Sequence, residues 1–331
     1  MTIRQRQDTI RGFAYAGKEK GKMNKKKIVV LLSTYNGEKY LKEQIDSILN
    51  QKSSHQIDLI IRDDGSSDGT IEILKSYEKK YPTRVKVDLE DNIGYIHSFF
   101  ELIRRAEGYD YYALSDQDDI WLEDKIDVAV AACECCTYDG PLLYGSSSFL
   151  VNDKLEIMGE TQKNLKGITW DNLLIQNFFP GHTQVFNDAL CGILKAEVDC
   201  SKIYVHDFWI TYMAFLHGRA IFDNQSHTYY RQHGTNTVGF GKNSVEWIVE
   251  RLKRIGHNDN KKIAAQIGYF YEKCQEDMDE ELRTKVSMFI QSQKSLWQRI
   301  AYLHKTKLYR QKNFETVLFK ILYLLGGYKL T

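Results

Sequence analysis

An alternation of apolar runs with helical repeats between residues 28 and 115 is the feature that most constrains the fold. The first run, residues 28–32, is uninterrupted, as expected of a strand that is buried on both faces. We predict strands over residues 28–32, 57–62, 85–89, 109–115 and 142–151, and helices over 37–50, from Asp68 onward and over 95–106. Repeated strand–helix units predict an α/β fold with a parallel sheet and right-handed crossovers.

Acidic clusters follow two of the predicted strands. Asp63 and Asp64 follow the second strand, and Asp116, Asp118 and Asp119 follow the fourth. Carboxylates just past the carboxyl ends of parallel strands converge on the crevice where such sheets bind ligands. Asp116 and Asp118 form an Asp-x-Asp pair, and their oxygens suit a hard divalent cation. Because a cation can bridge a diphosphate, the pattern predicts a nucleotide-diphosphate site.

Composition and missing motifs exclude several other classes. No Gly-x-Gly-x-x-Gly follows the first strand, and residues 236–243 lack the first glycine and the hydroxyl residue of a P-loop. The net charge of +1 gives no general reason to expect nucleic acid as a partner. The six cysteines have no metal-binding spacing and are predicted to be buried, reduced thiols. The sequence has no recognisable secretory signal and no apolar run long enough to span a membrane.

The two ends of the chain differ from its middle. Residues 1–26 are polar and basic, and we predict a disordered leader or an upstream-extended start. Residues 27–243 would form the α/β domain, and residues 244–331 a helical C-terminal region, with apolar positions at helical spacing over 245–255 and 314–325. Basic residues without any acid occupy 293–312. This region is either a helical bundle with a solvated basic face, which could pair two subunits, or a surface for anionic lipid or a lipid-linked acceptor.

Four motifs in register carry a family resemblance. They are Leu-Ser-Thr-Tyr-Asn-Gly at 32–37, Asp-Asp-Gly-Ser-Ser-Asp-Gly-Thr at 63–70, Ser-Asp-Gln-Asp-Asp-Ile-Trp at 115–121, and Tyr-Arg-Gln-His-Gly at 230–234 with Asn-Thr-Val-Gly at 236–239. From about Lys27 to Lys242 the chain resembles the family 2 glycosyltransferases, and within them the bacterial rhamnosyltransferase branch of cell-wall, capsule and O-antigen synthesis. The resemblance implies a GT-A fold, which is a Rossmann-like nucleotide-diphospho-sugar transferase core.

The resemblance places the donor nucleotide at the strand ends. Thr34 and Tyr35 lie where family members wrap the base and ribose, although Tyr35 is equally well explained as an aromatic packed on a helix. Asp64 corresponds to the aspartate that accepts the N3–H of uracil or thymine. Asp63 is expected to fix the turn, since adjacent side chains leaving a strand point opposite ways. Asp68 is better explained as a helix cap.

The resemblance also implies a divalent cation, either Mg2+ or Mn2+. Asp118 would coordinate it directly, and Asp116 would lie beside it at the ribose and diphosphate. His233 matches a C-terminal histidine that completes the metal site in many GT-A enzymes. Arg231 beside it is suited to bidentate contact with a donor phosphate. The cation would neutralise charge on the leaving diphosphate.

Inverting transfer further requires a general base for the acceptor hydroxyl. Asp207 matches the position at which family members carry an acidic base at the start of a helix, and an N-cap role there is compatible with catalysis. His206 and Trp209 beside it are candidate acceptor contacts. His182, in a glycine-containing loop after Pro180, is another.

The resemblance therefore implies an inverting, metal-dependent transferase that is cytoplasmic or peripheral at the inner membrane face. Its donor would be dTDP-L-rhamnose, and its acceptor a growing cell-surface polysaccharide or a polyprenyl-linked oligosaccharide. Homodimer formation through the C-terminal helices is also open. The alternatives are a transferase that uses a UDP-hexose or UDP-N-acetylhexosamine, and a metal-dependent phosphohydrolase. The hydrolase should show two metal-spaced acid sets or a phosphate-binding nest, whereas this sequence has one Asp-x-Asp pair.

Overall fold

A computed structural model describes residues 24–161, 163–232 and 259–329, and these form one mixed sheet covered by helices. The strands are β1 Lys27–Thr34, β2 Gln56–Asp64, β3 Val85–Glu90, β4 Tyr111–Ser115, β5 Ile120–Trp121, β6 Leu142–Val151, β7 Ile157–Glu160, β8 Val185–Asn187 and β9 Arg219–Arg231. The helices are α1 Leu41–Leu49, α2 Thr70–Lys80, α3 Tyr95–Arg105, α4 Lys125–Glu134, α5 Trp170–Leu173, α6 Asp188–Leu194, α7 His206–His217, α8 Asp259–Cys274, α9 Glu280–Ser292, α10 Leu296–Lys305 and α11 Asn313–Leu324.

The order of the strands across the sheet is β3-β2-β1-β4-β8-β6-β9-β5, and β7 pairs with β6. The first four strands are parallel, as the strand–helix alternation predicts. Beyond β4 the expectation of a parallel sheet fails, because β8 pairs antiparallel with both β4 and β6. A parallel neighbour needs a long crossover connection, and the regular strand–helix repeat ends after β4.

Burial of β1 on both faces explains its uninterrupted apolar sequence. Val29 and Leu31 belong to one hydrophobic cluster, whereas Ile28, Val30 and Leu32 belong to another on the opposite face. All five side chains are inaccessible to solvent. Successive side chains of a strand point to opposite faces, so a strand covered on both sides needs apolar residues at every position.

The predicted helices of the first half are present, with shifts at their ends. The helix predicted over 37–50 begins at Leu41, because residues 37–40 form a turn. The carboxylate of Asp68 accepts a hydrogen bond from the backbone N–H of Thr70 at 3.0 Å, which satisfies a donor at the start of α2. Its predicted capping role is therefore confirmed, although Gly69 occupies the N-cap position.

The C-terminal helices α8–α11 share a hydrophobic core with the sheet. Phe270 of α8 is fully buried against Trp170, Trp209 and Tyr212, with ring centroids 5.6, 6.3 and 4.8 Å away respectively. The helical character predicted for this region is confirmed over residues 259–324. Three predicted features lie outside the described residues: residues 1–23 of the expected leader, the apolar repeat over 245–255, and His233.

Two predictions made from the sequence concern the burial of the cysteines and the presence of membrane-spanning helices. All six cysteines are free, and four of them are buried, whereas Cys135 is exposed and Cys136 is half-buried. The prediction of buried thiols is therefore right for four of the six. Among the described residues, no helix combines the length and apolar character needed to cross a membrane.

The Phe270→Ala substitution should lower the free energy of unfolding by about 3–5 kcal/mol, because it leaves a cavity in the core shared by α7 and α8. Urea denaturation followed by circular dichroism measures the change. Leu165→Ala is the control, since Leu165 is 74% exposed and should change stability by no more than about 0.5 kcal/mol. A loss for Phe270→Ala as small as that of the control would show that the two parts do not share a core.

Candidate active site

The loops that follow β1 and β4 are tied together by Gln117. Its side-chain oxygen accepts hydrogen bonds from the Thr34 hydroxyl at 2.6 Å and from the Tyr35 backbone N–H at 2.8 Å. Its amide donates to the Tyr35 carbonyl at 3.2 Å. The Tyr35 side chain is 49% exposed, so it is open to a ligand and is not buried under a helix. The sequence analysis missed Gln117, since a lone glutamine between two aspartates carries no motif signal.

The two aspartates that end β2 have different partners. Asp63 accepts a hydrogen bond from the Ser66 backbone N–H at 2.9 Å, which confirms that it fixes the turn. Asp64 accepts from the backbone N–H groups of Ile93 at 2.8 Å and Gly94 at 2.9 Å, and it is ion-paired with Arg62. Asp64 thus joins the end of β2 to the start of α3. A groove of about 310 Å3 adjoins the turn and is lined by Asp63, Gly65, Ile71, Leu89, Glu90 and Asp91.

Asp116, Asp119 and His182 converge beyond the end of β4, where one potential metal-binding atom from each lies within 4.8 Å of the others. Asp119 is fully buried, and its Oδ2 has no hydrogen-bond partner among the described residues. The Nδ1 of His182 lies 4.0 Å from that oxygen. A buried carboxylate oxygen without a donor is costly, and a divalent cation would satisfy it.

His182 is oriented by its other contacts. Its Nε2 is 2.8 Å from the Ser148 hydroxyl, and its ring is stacked on Tyr230 with centroids 4.5 Å apart. Burial, with a further contribution from the nearby Lys125, lowers the pKa of His182 to about 3, so the imidazole is neutral at physiological pH. A neutral imidazole held by a second hydrogen bond is the form in which histidine binds metals. The three side chains therefore fit Mg2+ or Mn2+.

Excess negative charge characterises this cluster. Burial, together with the charges of the neighbouring Asp118 and Asp207, raises the pKa of Asp116 to about 7. Burial also raises the pKa of Asp119, with the charges of Asp118 and Asp116 adding to the effect. Lys125 is the buried cation nearby, and its pKa is lowered by its own burial. A bound cation would offset the repulsion among these carboxylates.

Among the described residues, Asp116 is grouped with Asp119 and His182, whereas the sequence analysis grouped it with Asp118 and with His233, which lies outside the described residues. The pairing of Asp116 with Asp118 assumed an extended segment, but the chain bends at residues 117 and 118. A bend brings positions i and i+3 together, which places Asp119 beside Asp116. The charge of Asp118 still acts on both neighbours. His182 was expected to contact an acceptor and lies instead within the acidic cluster.

Arg231, at the end of β9, holds the acidic loop in place. Its guanidinium is buried, and it donates to the carbonyls of Asp118 at 3.1 Å and Asp153 at 3.0 Å. It also pairs with the Glu43 carboxylate at 2.6 Å and lies over the ring of Tyr40. Each of its three nitrogens binds a protein group, so the structure gives Arg231 a positioning role, and its contact with a donor phosphate stays a prediction.

Asp207 lies in the first turn of α7 and faces the acidic cluster. Its carboxylate accepts a hydrogen bond from the Gly181 backbone N–H at 2.9 Å. Burial raises the pKa of Asp207 to about 6, although hydrogen bonds from the Asn177 side chain and the Gly181 N–H oppose this change. Its charge in turn raises the pKa of Asp116 and of Tyr95. Val205 is the N-cap of α7, so Asp207 does not have the capping role considered for it.

The two neighbours of Asp207 point in different directions. His206 is stacked on Phe99 with ring centroids 4.1 Å apart, and burial lowers its pKa to about 3. Neither ring nitrogen of His206 has a hydrogen-bond partner among the described residues. Trp209 is 3% exposed and is stacked on Tyr269 of α8, so it belongs to the core and is not an acceptor contact. Trp209 follows Asp207 by two residues, which is about 200° around the helix, so the two side chains lie on opposite sides of α7.

Comparison with known proteins identifies the family to which this chain is similar. A family model described as glycosyl transferase family 2 matches residues 29–142. The dTDP-rhamnosyl transferase RfbG of Shigella flexneri is 30% identical over 222 residues, which cover 63% of this chain and 73% of that protein. Among solved structures, residues 1–349 of Staphylococcus aureus TarS, in complex with UDP-GlcNAc, superpose with a TM-score of 0.50 at 17% identity, covering 83% of each chain.

A second solved structure is similar over a still larger part of the chain. The mannosyltransferase PcManGT from Pyrobaculum calidifontis, in complex with GDP-Man and Mn2+, has a TM-score of 0.50 at 16% identity. The match covers 92% of this chain and 86% of that one. At such low identities the two structures support the fold alone, which is the GT-A fold expected from the motifs.

Addition of Mn2+ should raise the thermal unfolding midpoint of the wild-type protein, because a ligand that binds only the folded state stabilises it. At a concentration of 100 times Kd the gain is about 2.7 kcal/mol. Asp119→Asn and His182→Gln should remove most of this gain, whereas Asp118→Asn should keep much of it. Midpoints without metal show whether each variant folds. Loss of the gain in Asp118→Asn alone would instead support coordination by the Asp-x-Asp pair.

Proposed function

Since the chain belongs to glycosyl transferase family 2 and is a glycosyltransferase, we propose that it transfers L-rhamnose from dTDP-L-rhamnose onto a growing cell-surface polysaccharide. The observation that carries the donor is the similarity to the dTDP-rhamnosyl transferase of Shigella flexneri. That similarity extends over 222 residues, beyond the 29–142 segment that the general family model matches. It therefore includes more of the chain than the nucleotide-binding half.

The donor nucleotide would bind at the carboxyl ends of β1 and β2. Tyr35 is exposed beside Thr34, and the groove next to the Asp63 turn is open to solvent. The Oδ1 of Asp64 already accepts hydrogen bonds from the Ile93 backbone N–H and from Arg62, whereas Oδ2 accepts from the Gly94 backbone N–H and retains a further lone pair. We assign the N3–H of thymine to this carboxylate. Arg62 and the two backbone donors would hold it in position.

The acidic cluster would hold the diphosphate end of the donor. Asp116, Asp119 and His182 are the residues that would bind Mg2+ or Mn2+. When bound, the cation would stabilise the negative charge that develops on the leaving diphosphate. Arg231 and Gln117 position the loop that carries these acids, since one binds the Asp118 carbonyl and the other binds the loop after β1. Both are positioning residues.

Asp207 would act as the general base on the acceptor hydroxyl. It would accept the hydroxyl proton while the acceptor oxygen forms a bond to the anomeric carbon and the bond to the diphosphate oxygen breaks. Attack from the side opposite the leaving group inverts the anomeric configuration. A pKa of about 6 leaves Asp207 ionised at neutral pH yet more basic than an exposed aspartate. The neutral His206 beside it has two buried ring nitrogens without a hydrogen-bond partner among the described residues.

The acceptor we propose is a polysaccharide carried on a polyprenyl-diphosphate lipid at the cytoplasmic face of the membrane. Such acceptors are anionic and lipid-anchored, which agrees with a helical region that is basic from Lys294 to Lys312. This assignment is separate from the donor and the base, each of which has its own test.

The Asp207→Asn substitution should lower kcat by about 10²–10⁴-fold while leaving donor affinity within about threefold, because an amide cannot accept the hydroxyl proton. Rates are measured by release of dTDP, and donor affinity by titration calorimetry. Glu197→Gln is the matched control. It removes one negative charge as Asp207→Asn does, but from an exposed position ten residues earlier in the chain. A variant that keeps its kcat but no longer binds donor would make Asp207 a donor ligand instead.

The raised pKa of Asp207 predicts an acidic limb in the pH profile of kcat/KM. Below about pH 6 the carboxyl group is protonated and cannot accept the hydroxyl proton, so kcat/KM should fall about tenfold per pH unit. Above that value the group is ionised, and this limb should be flat. The profile is measured with saturating Mn2+ at each pH. A limb centred near pH 4 would show that Asp207 is not buried in the active enzyme.

A panel of donors tests the sugar and base. We expect dTDP-L-rhamnose to be hydrolysed or transferred at least about tenfold faster than UDP-glucose, UDP-GlcNAc and GDP-mannose, since a difference of 1.4 kcal/mol in the transition state is tenfold. Each donor is assayed at equal concentration with and without EDTA. Preference for a UDP-hexose would overturn the rhamnose assignment while leaving the family unchanged.

A further inference from the structure

We infer that α10 and α11 form a surface that docks on an anionic lipid bilayer. Four apolar side chains of α11 and its C-terminal end are exposed to solvent: Phe314 by 46%, Val317 by 58%, Ile321 by 50% and Leu325 by 78%. Single exposed apolar residues are ordinary on protein surfaces, but a contiguous group marks an interaction site.

These four residues form a stripe on one side of the helix. They recur at positions i, i+3, i+7 and i+11, which is the spacing of one helical face. The opposite face is already used, because Glu315, Phe319 and Tyr323 are buried against the rest of the protein. Packing of the described chain therefore accounts for one side of α11 and leaves the apolar stripe facing outward.

Helix α10 adds a second apolar group beside the first. Leu296, Trp297 and Ile300 are exposed by 48%, 79% and 41%. The guanidinium of Arg299 donates to the Leu324 carbonyl at 3.1 Å, so the first half of α10 lies beside the end of α11. Indole side chains favour the boundary between water and the hydrocarbon of a membrane. Trp297, the most exposed of the seven residues, has the chemistry of an interfacial anchor.

The charge around these helices identifies the partner. Residues 293–329 contain a single acid, Glu315, which is buried and bonded to Arg310 at 3.0 Å. The exposed lysines of the same stretch of chain are Lys294, Lys305, Lys307, Lys312, Lys320 and Lys329. Lysines next to exposed apolar side chains complement anionic headgroups over acyl chains. A symmetric pairing of two copies would instead bring like charges together.

The geometry is that of a helix pair lying in the plane of the membrane. Helix α11 has 12 residues, fewer than the roughly 20 that a membrane span requires. This inference does not depend on the proposed sugar or acceptor, since it concerns binding to lipid and not transfer. It would hold the helical region, and the core packed against it, at a membrane surface.

Vesicle sedimentation with the full-length protein tests the inference. Wild-type protein should pellet with phosphatidylcholine vesicles that contain 30 mol% phosphatidylglycerol, a level chosen as roughly that of an anionic membrane surface, and much less with phosphatidylcholine alone. Binding should weaken as the salt concentration rises above the physiological value, because the Debye length then falls below about 8 Å and the charges are screened. The triple variant Lys307→Gln, Lys312→Gln, Lys320→Gln should bind about 100-fold more weakly. Lys75→Gln, Lys79→Gln, Lys80→Gln on α2 is the charge-matched control and should bind as the wild type does.

A second pair of variants isolates the apolar stripe. Val317→Ser, Ile321→Ser, Leu325→Ser should weaken vesicle binding about 30-fold or more, because three partly exposed apolar side chains no longer enter the bilayer. Ile157→Ser, Met158→Ser, Leu165→Ser removes equally exposed apolar groups elsewhere and should have no effect. Thermal midpoints confirm that all variants fold. The inference would be overturned if the wild-type protein did not pellet, or if both control variants lost as much binding as the test variants. It would also be overturned if the stripe variant converted a dimer to a monomer while vesicle binding stayed unchanged.

Discussion

Burial of β1 between two hydrophobic clusters determines where polar side chains can meet in this protein. A strand covered on both faces can present polar groups only past its end, and its parallel neighbours β2 and β4 end at the same edge. The loops that carry Tyr35, Asp64 and Asp116 consequently meet there. Hydrogen bonds between these loops then hold that edge in a defined shape. The clearest are those that Gln117 accepts from Thr34 and Tyr35.

The acidic cluster concentrates buried charge that the fold alone does not neutralise. Asp119 and Lys125 are both fully buried. Burial raises the pKa of Asp119 and lowers the pKa of Lys125, so it favours the neutral form of each. Stable folds usually avoid such groups unless they are paired or bind a metal. Arg231 provides part of the compensation, since its backbone N–H donates to the Asp119 carboxylate and its guanidinium donates to the Asp118 carbonyl. The remaining excess of carboxylate over cation is the property that suits the site to a metal and a diphosphate.

The C-terminal helices are bound to the catalytic half by a shared aromatic core and differ from it on their outer side. Phe270 and Tyr269 of α8 pack on Trp209 of α7, the helix that also carries Asp207. Stability of the helical region and the position of Asp207 are therefore linked through one helix. The outward faces of α10 and α11 carry apolar side chains and lysines, so a single region combines a structural face with a face suited to lipid.

The sequence by itself determined the features that depend on local pattern. Alternating apolar runs and helical repeats predicted β1–β4 and the helices between them, and the motifs predicted the family, the Asp63 turn and the location of the acidic loop. Residue period, turn chemistry and motif order are local, so they can be read from one chain.

Only the tertiary structure decided which side chains meet across distant segments. The antiparallel insertion of β8, the bend that places Asp119 beside Asp116, and the arrival of His182 from a separate loop have no local signal. Trp209 and Arg231 carry residue types that are common in binding sites, yet packing against α8 and bonding to Glu43 give them structural roles. These outcomes depend on burial and long-range pairing, because a side chain's partners are set by the whole fold and not by its neighbours in sequence.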